Sequence, residues 1–170
     1  MTVREASYSQ ADAIFELYEQ SRAAYRSLLI NKWNDGRPDF DDVFGHIDDG
    51  ICYAAEQDGR VAAAFVLDFS DDTAYRASFS CNWPQGEYAV LHRLTVNDAF
   101  KKDEVMQSVV DFCISRCTEN GVGIIRCGAH PKDETACRLL EQLGFEPCGR
   151  LRTPTGEERT AYFMNLDKNN

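Results

Sequence analysis

Apolar residues recur along this chain at two different spacings, and each change of spacing marks an element. Thr2 to Ala6 reads as a short strand, and Ser9-Gln-Ala-Asp12 has the form of a capping box with Asp at its third position. Ile14, Leu17, Tyr18, Tyr25 and Leu28 then follow helical steps and predict an amphipathic helix. Trp33-Asn-Asp-Gly-Arg-Pro38 is turn chemistry, and an acidic second helix is expected from Asp39 to Ile47. Ile51 to Glu56 and Arg60 to Asp68 are strands rich in Val, Ala and aromatics, with the hairpin pair Asp58-Gly59 between them.

The segment from Ser70 to Gly86 shows no period. It holds Tyr75, Phe79, Cys81 and Trp83, and a connection of that length is more often functional than neutral. Tyr88 to Val96 alternates like a central strand. Asp103 to Thr118 is the clearest helix, with Val105, Met106, Val109, Val110, Cys113 and Cys117 on one stripe and Asn120-Gly121 as its stop. Gly123 to Ala129 is a strand, Lys132 to Leu143 a helix ended by Gly144, and Phe145 to Arg152 with Arg159 to Leu166 a closing hairpin. The order β-α-α-β-β-β-α-β-α-β-β predicts an α/β (α+β) chain with a mixed sheet.

Length and charge narrow the classes. The 170 residues, 44% of them apolar types, suit one compact domain that needs no metal or disulfide to fold. The longest apolar run, Val61 to Leu67, is far short of a membrane span, and no leader pattern opens the chain, so a cytoplasmic protein away from membranes is expected. A net charge of −10 argues against a nucleic-acid partner, which needs a basic footprint. The charge is uneven: from Asp35 to Asp72 eleven acids face only Arg37 and Arg60. That stretch is read first as solvated surface and second as a field attracting a cationic partner. Seven cysteines without a CxxC pair or a nearby His predict buried reduced thiols and no metal.

Two segments carry the candidate chemistry. Leu91-His-Arg-Leu-Thr-Val96 runs through Asn97-Asp-Ala-Phe-Lys-Lys102 into a helix, and His130 to Phe145 is a helix ending in Leu-Gly-Phe. With the strand order, these resemble the GNAT superfamily of acyl-coenzyme A-dependent N-acyltransferases over nearly the whole chain. The chain is similar in particular to a bacterial branch marked by Trp33, Trp83, His92-Arg93 and Tyr162. The resemblance implies a GNAT-like single domain over residues 1–167, a mostly antiparallel sheet of about seven strands flanked by about four helices, and a disordered tail at 168–170. It also implies acetyl-CoA as co-substrate, an amine or peptide acceptor, and a monomer or homodimer.

In that family a loop entering a helix N-terminus holds the coenzyme A pyrophosphate through unpaired N–H groups and the helix dipole. Carried over, the cofactor-binding residues are Leu94, Thr95, Val96, Lys101, Lys102, Asp103, Glu104, Val105, Met106 and, from the second motif, Asp133. The chain departs from the family at Glu104 and Met106, which stand at its two small positions and would crowd the phosphates. A second departure is Leu140, where a tyrosine acid is frequent. His92 is the first candidate general base, since an imidazole with a reference pKa near 6.5 suits an ammonium proton, and Glu87 is the second. A histidine hydrogen-bonded within the sheet is the ordinary alternative for His92. Trp33, Tyr75 and Trp83 are expected to wall the acceptor site, and Tyr162 reads as an edge-strand aromatic. Two functions remain: acyl transfer from coenzyme A to a primary, cationic amine, or a non-catalytic GNAT-like module that binds a ligand or partner.

Overall fold

The computed structural model describes residues 1–70, 75, 80–153 and 156–166. Its strands are β1 (Thr2–Glu5), β2 (Cys52–Gln57), β3 (Arg60–Asp68), β4 (Tyr88–Val96), β5 (Ile124–Ala129), β6 (Glu146–Arg152) and β7 (Glu158–Asn165). Its helices are α1 (Ala11–Ser27), α2 (Phe40–Asp48), α3 (Lys102–Glu119) and α4 (Glu134–Gln142), with a 3-10 turn at Tyr8–Gln10. The seven strands are ordered β1-β2-β3-β4-β5-β7-β6. The β4–β5 pair is parallel, and the β1–β2, β2–β3, β5–β7 and β6–β7 pairs are antiparallel. Among the described residues this is the mixed, mostly antiparallel sheet flanked by four helices that the sequence predicts, and Tyr75 is helical as well. Phe79 and the tail at 168–170 lie outside the described residues. The chain divides into two compact units, Met1–Leu67 with Arg93–Val109 and Asp68–His92 with Val110–Asn170, the divisions falling at the end of β3 and within β4 and α3.

In the first unit, Asp58 and Gly59 both adopt left-handed backbone (φ 53° and 73°), as a two-residue hairpin turn requires. The turn sets the register that pairs Ala54 with Ala64. Their methyl groups are a shallow floor on which Ile14, Leu17 and Tyr18 of α1 and Val43 of α2 pack. Burial raises the Tyr18 phenol far above its ordinary range. The start of α1 differs from expectation. Gln10, not Ser9, precedes the helix, and the reciprocal cap is one turn earlier, where Ser7 N–H donates to Gln10 Oε1 at 2.9 Å. The end differs too: Leu28 lies beyond the helix and is exposed, because the chain turns into left-handed backbone at Leu29 (φ 55°).

In the second unit, β7 lies between β5 and β6, so Tyr162 is a buried interior residue and not an edge aromatic. Its hydroxyl donates to Glu141 Oε1 at 3.2 Å. Gly149 is needed for close approach: a Cβ there would lie 2.0 Å from the Ser80 carbonyl oxygen. The predicted stripe of α3 is buried throughout. All seven cysteines are free thiols, four of them buried as expected and Cys81, Cys137 and Cys148 only half-buried. Burial pushes Cys52 up to about 11 and Cys117 up to about 12, which keeps those two protonated. Among the described residues, no helix is long and apolar enough to cross a membrane and no cluster of His, Cys, Asp or Glu could hold a metal.

The cap of α2 generates a pH prediction. Asp39 accepts the Asp42 N–H at 2.9 Å, and this bond lowers its carboxyl pKa. A lowered folded-state pKa contributes stability above the unfolded value, about 3.9, and loses it as pH falls through the folded value. Wild type should therefore melt above Asp39→Ala at pH 7. The gap should narrow as the pH is lowered past about 4 in thermal melts monitored by circular dichroism.

Candidate functional site

β4 is interrupted at its middle. Its parallel register with β5 covers Tyr88, Ala89 and Val90. Three residues on, Arg93 has φ 52°, a left-handed conformation that costs a bulky residue about 1–3 kcal/mol. A charge contact accompanies it: Arg93 Nη1 lies 3.8 Å from Asp42 Oδ1, which Arg37 Nη1 reaches at 2.7 Å. Asp42 in turn caps α2 by accepting the Asp39 N–H. A backbone kink in β4 and the start of α2 thus share one carboxylate.

Thr95, two residues further, is buried, and its hydroxyl donates to the Leu17 carbonyl at 2.9 Å and bonds to Ser21. Those bonds commit the Thr95 side chain to α1 and leave only its backbone to meet a ligand. Leu94 and Val96 are half-buried.

The loop after β4 is pinned by one residue. Asn97 N–H donates to the Ala62 carbonyl at 2.8 Å and Asn97 Nδ2 to the Val61 carbonyl at 3.1 Å. Asn97 also accepts from Ala99 N–H and Phe100 N–H, both at 3.0 Å, which closes the turn. The chain then enters α3 with Lys101, Lys102, Asp103 and Glu104 all exposed. Lys101 Nζ donates to Glu104 Oε1 at 2.8 Å, and that bond raises the lysine's pKa. Val105 and Met106 are buried. The crowding expected from the sequence is therefore reduced: the Met106 thioether packs inside, and the Glu104 carboxylate turns outward to the lysine. The entry to α3 is thus an exposed surface of two lysines and two carboxylates, and the Val105 N–H donates to the Lys101 carbonyl at 3.1 Å. This is compatible with an anionic diphosphate, although Asp103 and Glu104 weaken the local field for it.

In the second unit, His92 is half-buried with its Nε2 atom shielded from solvent, and Glu87 is exposed just before β4. Asp133 is the N-cap of α4, accepting the Ala136 N–H at 3.1 Å, and Leu140 is buried. Trp83 is half-buried and Tyr75 buried, their rings 6.2 Å apart in a cluster with Val90 and Leu151. In the first unit, Trp33 stands edge-on to Tyr18 and Tyr25, with the Lys32 ammonium 4.5 Å from its ring centroid. Thus Leu94 to Met106 and Trp33 belong to the first unit, and His92, Glu87, Tyr75, Trp83 and Asp133 to the second.

Sequence reasoning missed Arg126. This buried guanidinium of β5 donates to the carbonyls of Tyr75 at 2.9 Å and Pro84 at 3.2 Å. It also lies 3.7 Å from the Tyr88 ring centroid and 4.7 Å from that of Trp83. One cation therefore organises the segment that holds two of the expected acceptor residues. The available signal was a charge inside the apolar run Ile124-Ile-Arg-Cys127. The Arg93–Asp42 pair carried no signal, because nothing in the spacing joins them.

Residues 12–145 match the model of the acetyltransferase (GNAT) family. No curated protein matches the sequence significantly. A GNAT-family acetyltransferase from Streptococcus agalactiae superposes with a TM-score of 0.85 at 23% identity, covering 96% of this chain and 94% of that one. The structure of yncA from Salmonella typhimurium, solved with its cofactor acetyl-CoA, gives 0.70 at 18% identity over 98% and 94%. The ribosomal-protein-alanine N-acetyltransferase of Brucella melitensis gives 0.70 at 18% identity over 98% and 100%. At these identities the structures share the fold.

Removing Arg126 should expose how much of the second unit hangs on it. Arg126→Ala leaves two buried carbonyls without their donor, and should lower stability by about 2–4 kcal/mol in urea unfolding. It should also raise the rate of proteolytic cleavage between residues 68 and 87.

Proposed function

Because the chain belongs to the GNAT acetyltransferase family, we propose that it transfers an acetyl or other small acyl group from coenzyme A to a primary, cationic amine. The observation that carries this reading is the entry to α3, where Met106 is turned into the core and Lys101, Lys102, Asp103 and Glu104 are exposed. Lys101, Lys102 and the backbone of Asp103 and Glu104 would hold the diphosphate, with Val105, whose N–H donates to the Lys101 carbonyl, fixing the turn. The backbone of Leu94, Thr95 and Val96 would hold the chain that follows it. Bound acyl-coenzyme A would supply an activated thioester. His92, with Glu87 as second candidate, would take the ammonium proton through water, and the N–H near Leu94 would meet the developing oxyanion. Asp133 acts at a distance, by capping α4.

Trp33 and Trp83, each half-buried within its own unit, are the aromatic candidates for contact with the acceptor, whereas Tyr75 is buried. The acidity between Asp35 and Asp72 favours a cationic acceptor such as a polyamine, an amino sugar or a lysine-bearing peptide. A second reading, a GNAT-like binding module without catalysis, is favoured by one observation: the Lys101–Glu104 pair satisfies internally the charges a diphosphate would otherwise meet.

Calorimetric titration separates the two. Coenzyme A should bind weakly to wild type and several-fold more tightly to Glu104→Gln, which frees Lys101. Absence of binding to either protein would leave the module. In assays with acetyl-CoA and a panel of amines, His92→Gln should lower turnover by about one to four decades with coenzyme A affinity and melting temperature nearly unchanged. Unfolding of that variant with an unchanged rate per folded molecule would return His92 to a structural role. Turnover of the cationic amine at low concentration should fall with added salt, since the Debye length is about 8 Å at physiological strength.

A further inference from the structure

Three of the six large apolar side chains that are exposed, Tyr8, Phe40 and Phe44, stand next to one another. Tyr8 and Phe44 have ring centroids 5.7 Å apart, Phe44 and Phe40 6.3 Å, and Phe40 stacks at 4.2 Å on the half-buried Phe15 of α1. The result is a ladder of four rings across the outer side of α1 and α2, within the first unit. Helix geometry explains its position. α2 sends Val43 into the core with Ile47 packed behind it, which leaves Phe40 and Phe44, four residues apart, on a second apolar stripe outside. Tyr8 is fixed at the far end because its hydroxyl donates to Asp48. Contiguous aromatic surface with a polar rim is characteristic of a docking site, whereas isolated exposed apolar residues need no explanation.

The rim identifies the occupant. Asp12, Glu16, Asp41, Asp48 and Asp49 are exposed around the rings. A second copy of this chain would set the same acids against one another. An anionic lipid surface or a nucleic acid would be repelled. A segment bearing Lys or Arg beside apolar side chains meets both features, since cations are attracted to ring faces as well as to carboxylates.

We propose that the outer side of α1 and α2 docks a basic peptide segment, with apolar side chains lying on the Tyr8–Phe44–Phe40–Phe15 ladder and its cations reaching Asp12, Asp41 and Asp49. The proposal does not rest on acyl transfer, and it is tested without coenzyme A. Fluorescence anisotropy with a labelled amphipathic Leu/Lys peptide should show saturable binding to wild type that weakens with salt, and none of the Leu/Glu counterpart. Tyr8→Ser with Phe44→Ser should reduce affinity by about tenfold or more, and so should Asp12→Asn with Asp41→Asn, which leaves every ring in place. Unchanged melting temperatures identify the variants as folded. Absence of binding to wild type, wild-type affinity in either double variant, or equal binding of the Leu/Glu peptide would overturn the proposal. It would also be overturned by wild-type self-association in sedimentation velocity that the ring substitutions abolish, which would assign the face to a second copy.

Discussion

The left-handed residue in the middle of β4 is the constraint on which the first unit is arranged. Arg93 carries that conformation with its guanidinium 3.8 Å from the Asp42 carboxylate, which also caps α2 and receives Arg37. One carboxylate thus faces a strand kink, a helix start and a surface arginine. The kink separates two stretches of β4 with different tasks. Tyr88 to Val90 build the parallel pair with β5, whereas Thr95 is tied to α1 through its hydroxyl. A straight strand would extend one of these tasks at the expense of the other.

Most elements were legible because their signals are local. The Asp58-Gly59 turn, the bounds of β3 and β4 and the buried stripe of α3 depend on residues within a few positions of one another. The errors arose where the third dimension decides. Ser9 and Asp12 had the spacing of a capping box, but a 3-10 turn placed before α1 moved the reciprocal cap to Ser7 and Gln10. Tyr162 looked like an edge residue because it lies near the end of the chain, yet the last hairpin inserts β7 between β5 and β6. Arg126 and Asp42 act through partners 42 to 51 residues away, which no window along the sequence brings together.

The candidate site shows a similar division. Position and residue type made the loop before α3 recognisable, whereas the direction of each side chain was not readable. Met106 belongs to the same buried stripe as Val109 and Val110, so its helical phase turns it away from the loop. Glu104 is one step off that stripe and finds Lys101 one turn back. A departure from a motif is therefore not equivalent to a blocked site, since a substituted side chain obstructs only where the helix phase points it.

Asn97 gives the hairpin at Asp58-Gly59 a reach beyond its own strands. That asparagine grips the second and third positions of β3, Val61 and Ala62, just after the turn. The turn length thus works as a gauge for the loop that precedes α3. One residue inserted at Asp58-Gly59 and absorbed by slippage of β3 would exchange the two faces of that strand. Ala64 would leave the floor beneath α1, and the carbonyls that Asn97 grips would no longer stand opposite it. A change in a solvent-exposed turn would in this way displace a loop some forty residues later in the chain, with every residue of that loop unaltered.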